Sequence, residues 1–159
     1  MEITLTLKMS EIIYDIQNKT YLTGRSAANG ENHSHVANMQ ANDDEENEAQ
    51  ILRSITTAYS ILRNRFAEFL NDQTPLSNND ILDGKEDIQI SLTMPSNFNS
   101  SVAKTIGEAA HQFIVSTAIA DWFSITAKGE TADYDVVAKE SVRILEEALC
   151  KRKRPVRKS

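Results

Sequence analysis

The sequence predicts a mainly α, α+β fold: a bundle of about four helices carrying two short β-strands, in the order β-α-α-β-α-α. Three observations predict it. From Ser100 to Thr126, Val102, Ile106, Ala109, Ala110, Phe113, Thr117 and Ala120 recur at intervals of three and four, the spacing of one helix face. Two short stretches, ITLTL and IQISL, instead alternate apolar and polar residues, the period of a half-buried strand. Only five glycines and three prolines occur in 159 residues, which suits long regular elements.

In chain order, Glu2 to Met9 places Ile3, Leu5, Leu7 and Met9 on one side and Thr4, Thr6 and Lys8 on the other. Ser10 is the expected cap of a helix that turns Ile12, Ile13, Ile16 and Leu22 inward, with Gly24 as its terminator. Ser26 to Asn42 is polar and reads as a mobile loop or a frayed lead-in to the next helix. Asn42 to Leu70 is the second long helix, with Ile51, Leu52, Ile55, Tyr59, Leu62, Phe66 and Phe69 inward. Its opening run NDDEENE lacks the glycine and terminal glutamate of a calcium-binding loop. Carboxylates gathered in a first turn instead oppose the positive end of the helix dipole.

Asn71 to Glu86 is a linker rich in Asn, Asp, Pro and Gly. Asp87 to Met94 is the second strand, Ile88, Ile90, Leu92 and Met94 inward, and Pro95 ends it. Asn97 to Ser101 supply caps for the central helix, where Ile114, Ala118, Trp122 and Ile125 form a second apolar row. So wide an apolar surface fits a helix packed on more than one side. Lys128-Gly129 breaks it. A last helix starts at Thr131 or Asp133 and turns Tyr134, Val137, Ala138, Ile144, Leu145, Ala148 and Leu149 inward. The whole is expected as one domain over residues 1–150, followed by a basic tail over 151–159.

Composition narrows the classes of function. Six of the seventeen basic residues lie in the last nine positions, leaving eleven against twenty-three carboxylates in the rest, a net of −12. An acidic body repels nucleic acid over most of its surface. The tail residues Lys151, Arg152, Lys153, Arg154, Arg157 and Lys158 are therefore the candidate polyanion contact, against the plainer reading of a solubilising, frayed end. A single cysteine, Cys150, suits a reducing compartment. The N-terminal stretch lacks the pattern of a secretory signal, and Ala109 to Ala120 is too short to span a bilayer, so an intracellular protein without a membrane role is expected.

No phosphate-binding glycine loop and no nucleophile elbow occur. His33-Ser34-His35, with Glu31 alongside, falls short of a recognisable zinc spacing, and His111 reads as a buried, hydrogen-bonded histidine. No catalytic, cofactor or metal residue is assigned, and no enzyme is expected. The strands suggest another role. Ile3, Leu5 and Leu7 with Ile88, Ile90 and Leu92 are candidates to pair across a subunit boundary, because a lone two-stranded ribbon leaves edges unpaired.

The second half carries a resemblance. A strand, an Ala-rich helix with aromatics near its end (Ala118, Ala120, Trp122, Phe123), a Gly break, then a helix from Tyr134 into ILEEALCKRKRPVR resembles small head–tail connector or tail-associated proteins of tailed phages and prophages. It covers roughly Asp87 to Arg157 and rests on pattern, so no functional residue is carried over. What it implies is a structural assembly protein of the virion, present in the host cytoplasm during assembly. Such a protein forms a homo-oligomeric ring and contacts portal or tail components. The alternative is a small nucleic-acid-associated or regulatory helical protein using its basic tail. Convergence of His33, His35 and a carboxylate on one pocket would favour an enzyme instead.

Overall fold

The computed structural model describes residues 1–42, 44–71 and 77–157. Within them the order is β1 (Glu2–Leu7), α1 (Met9–Ala27), α2 (His33–Met39), α3 (Glu45–Arg65), β2 (Ile88–Thr93), α4 (Ala103–Thr126) and α5 (Thr131–Leu149). Short 3-10 turns at Ser100–Val102 and Lys128–Glu130 flank α4. The chain is thus mainly helical with two strands, and it has five helices where about four were expected.

The fifth is α2, inside the stretch expected to be a loop. Its seven residues have no apolar period to announce them. What holds the segment is tertiary: Met39 and Ala41 are fully buried, and Trp122 Nε1 donates to the Met39 carbonyl at 2.7 Å. Gly24 does not end α1, which continues to Ala27. A Cβ there would stand 3.2 Å from the Val36 carbonyl oxygen, so the glycine allows α2 to lie close. Leu22, expected inward, is half exposed, and Thr20 takes an inward position instead. Its hydroxyl donates to the Ile16 carbonyl and accepts from the Ala41 amide.

Nor does Ser10 cap α1. Lys8 occupies that position without a side-chain bond, and the Met9 amide donates to Asp87 Oδ1 at 3.1 Å. The residue just before β2 therefore caps the helix that follows β1. The acidic residues Glu45, Glu46 and Glu48 do open α3, as the dipole argument requires.

Helix α4 is the centre: half of its 24 residues are buried, and it packs against α1, α2, α3, α5 and β1. Ile125 is the exception in its apolar rows, projecting into solvent near the last turn. On α5, Ala138, Ser141, Leu145, Ala148 and Leu149 are buried, while Val137 and Ile144 lie further out than expected.

The strands pair antiparallel within one chain, Ile3 opposite Leu92, Leu5 opposite Ile90 and Leu7 opposite Ile88. The six residues expected to meet across a subunit boundary meet each other instead. A matching apolar face on each strand brings them together over the same helical core, which removes the need for a partner on that side. Of the linker over 71–86, residues 72–76 lie outside the described residues, as does Asp43 of the acidic run. The linker's later part meets α3, with the Leu82 amide donating to Thr56 Oγ1 and the Asn79 carbonyl accepting from Arg53.

Candidate interaction edge

The most unusual feature of the surface is the outer edge of β1. In an antiparallel ladder, directly opposed residues alternately exchange both backbone bonds or none. Met1 and Met94 exchange both: Met1 N donates to the Met94 carbonyl at 3.0 Å, and the Met94 amide donates back at 2.6 Å. The alternation then directs the backbone groups of Ile3, Leu5 and Leu7 toward β2. Those of Glu2, Thr4 and Thr6 point the other way. On β2 the outward groups belong to Gln89, Ser91 and Thr93.

The two outer edges fare differently. The Thr93 amide donates to the Phe69 carbonyl at 2.7 Å, and the Asn71 amide donates to the Ser91 carbonyl at 3.0 Å, with Leu70 bridging to Leu92. Residues 69–71 thus close much of the β2 edge. Among the described residues nothing closes the β1 edge at Thr4 and Thr6. It also lacks proline, a bulge or an inward-pointing charge, the devices that normally blunt such an edge.

Beside this edge runs an open groove of about 640 Å³, lined by β1 and Lys8, by Glu11 of α1, and by the first turns of α4, including Lys104, Gly107 and Glu108. Gly107 faces Leu5 across it, where a Cβ would stand 3.9 Å from the Leu5 side chain, an ordinary contact. The charges are balanced. Lys104 lies 3.7 Å from Glu108, and at the far end His111 Nε2 and Asp15 Oδ2 are 2.6 Å apart, both partly exposed. His111 is therefore hydrogen-bonded as expected, but sits on a groove wall.

The basic tail lies elsewhere. The Asn99 amide donates to the Lys151 carbonyl, the Lys153 amide to the Asn97 carbonyl, and Arg152 opposes the buried Phe98. Its first three residues are thereby part of the fold, and the boundary expected after residue 150 falls nearer Lys153. Lys151 also pairs with Glu147 at 3.4 Å, and Arg152 donates to the Leu149 carbonyl. The side chains of Lys153, Arg154 and Arg157 are exposed without a partner among the described residues. Lys158 lies outside them.

His33 and His35 are exposed on α2. Among the described residues no three histidine, cysteine or carboxylate side chains gather as a metal site. Cys150 is exposed. Asp121, an isolated polar position in the sequence, accepts from Ser54 Oγ and ties α4 to α3. On α5, the Arg143 guanidinium bonds Glu140 and Glu147. It holds the Glu140 carboxyl below its ordinary range, and its own ionisation is raised in return.

Sequence reasoning identified the strands but not which edge stays open. In the sequence Thr4 and Thr6 stand out only as outward side chains. No helix among the described residues is long and apolar enough to cross a membrane. Compared with protein-family models, curated proteins and solved structures, the chain matches none.

Proposed function

We propose that this chain is a non-enzymatic assembly protein of a phage or prophage particle, a head–tail connector or tail-associated component. It acts by homo-oligomerisation and by contacts with portal or tail proteins. The observation that carries the assembly part of this reading is the free, undefended edge of β1, because unpaired strand edges are templates for adding a strand from another chain. The phage context rests on the pattern resemblance over Asp87 to Arg157. A head-to-tail ring joining β1 of one copy to β2 of the next meets the closed outer edge of β2, so a ring requires a second, different surface.

Purified particles from cells that make this chain should contain it at fixed stoichiometry by quantitative mass spectrometry. Thr6→Pro, which removes an outward amide and none of the bonds to β2, should abolish incorporation. Particles lacking the chain, or full incorporation of the folded variant, overturn the reading.

A second reading, contact with nucleic acid through the tail, is favoured by the exposed cations Lys153, Arg154 and Arg157. Its affinity would fall steeply with salt, since phosphate contacts release condensed counterions.

A further inference from the structure

We infer that the free edge of β1 takes the β1 strand of a second copy, antiparallel about a two-fold axis, with Glu2 of each copy opposite Lys8 of the other. The inference rests on the assembly reading and names the partner at that edge.

The register follows from the backbone. Only residues with outward-directed backbone groups can exchange bonds across the new junction, so Glu2, Thr4 and Thr6 must face positions of the same alternation. The Lys8 carbonyl already accepts from the Glu11 and Ile12 amides of α1, so Lys8 contributes through its side chain. A two-fold pairing that sets Thr4 against Thr6 of the partner makes about four backbone hydrogen bonds at the centre. It also places the two Thr pairs side by side, a favourable cross-strand combination. In this register Leu5 faces its own symmetry mate and Ile3 faces Leu7 on the inner side, so apolar meets apolar.

Charge selects this register over its nearest competitor. Slipping by two residues would set Thr4 against Thr4 and Glu2 against Thr6, leaving Lys8 beyond the junction. In the favoured register a carboxylate and an ammonium oppose each other at both ends. Glu2 Oε1 accepts from Asn71 Nδ2 at 3.1 Å on the β2 side, a bond between exposed groups that the carboxylate exchanges for the partner's Lys8 when the strands pair. The groove beside the edge is open along β1, lined on its other side by Lys104, Gly107 and Glu108. A second strand approaching there meets no covering segment among the described residues. The Leu5 side chains already belong to the core, so the junction extends an ordered sheet instead of ordering a new one.

The test uses the full chain. Sedimentation equilibrium should give a dimer mass. Glu2→Lys and Lys8→Glu should each raise the dimer Kd roughly tenfold, and the double swap should restore it. With Cys150 replaced by serine, Thr4→Cys and Thr6→Cys chains should form a mixed disulfide on oxidation, since opposed residues in this pairing lie about 5.5 Å apart. A monomer at every accessible concentration, a dimer insensitive to the swaps, or Thr4→Cys linking preferentially to itself overturns the inference. Particle incorporation separates it from the reading beneath it. A monomeric chain whose Thr6→Pro variant stays out of particles keeps the assembly function and loses the self-pairing. A swap-sensitive, cross-linked dimer absent from particles keeps the pairing and loses the assembly function.

Discussion

The two strands have nearly interchangeable sequences, ITLTL and IQISL, yet their outer edges differ. Residues 69–71, at the end of the turns that follow α3, lie against β2 and accept or donate bonds at Thr93 and Ser91. Among the described residues nothing comparable lies against β1, which turns directly into α1. The difference teaches that edge protection comes from what the chain happens to run alongside. The strand's own residues do not decide it.

The largest test of this contrast is in the core. Leu92 is fully buried near the end of β2, whereas Ile3, its partner, is only partly buried. Leu92→Ala should cost about 2–5 kcal/mol in urea unfolding, and Ile3→Ala roughly half of that or less. Equal costs would mean that β1 is as enclosed as β2.

A matched proline pair comes next. Thr93→Pro removes an amide bonded to Phe69 and should cost about 1–3 kcal/mol, while Thr6→Pro removes an amide with no partner among the described residues. Thermal melting of the two at low protein concentration should therefore diverge, with Thr6→Pro close to wild type. A Thr6→Pro chain that unfolds like Thr93→Pro would place the Thr6 amide inside the sheet and reverse the assignment of edges.

Smaller again is the cap that links the strands. Asp87→Ala should destabilise by about 1 kcal/mol, the usual cost of losing a helix N-cap acceptor. Asp87→Asn, which keeps an acceptor, should recover most of the loss in the same denaturant titration. If both variants match wild type, the bond from Met9 contributes nothing.

The smallest effect concerns the tail. Removing Arg154 to Ser159 should leave the melting temperature unchanged, whereas removing everything from Lys151 should lower stability by about 1–2 kcal/mol. The longer deletion loses the backbone bonds beside Phe98. Identical melts for the two truncations would return the boundary to residue 150.

The strands, the long helices and the burial of α4 were legible in the residue pattern, because apolar periods of two and of three to four are local records of which face meets the core. Ile88, Ile90 and Leu92, or Ile106, Ala110 and Phe113, report their environment through their spacing alone. The candidate tail was legible as charge, since lysines and arginines need no fold to be counted. Other features were decided only by tertiary structure. Helix α2 exists because Trp122, more than eighty residues away, bonds the Met39 carbonyl. The cap of α1 comes from Asp87, and Gly24 serves a close approach where a helix end was expected. The open edge of β1 was hidden for the same reason: its Thr4 and Thr6 backbone groups look like those of any other residue in sequence. Which of them stay unpaired depends on where Phe69 to Asn71 pass in space. Backbone hydrogen bonding carries no side-chain signature, so the position of a free edge is settled only when the chain has folded.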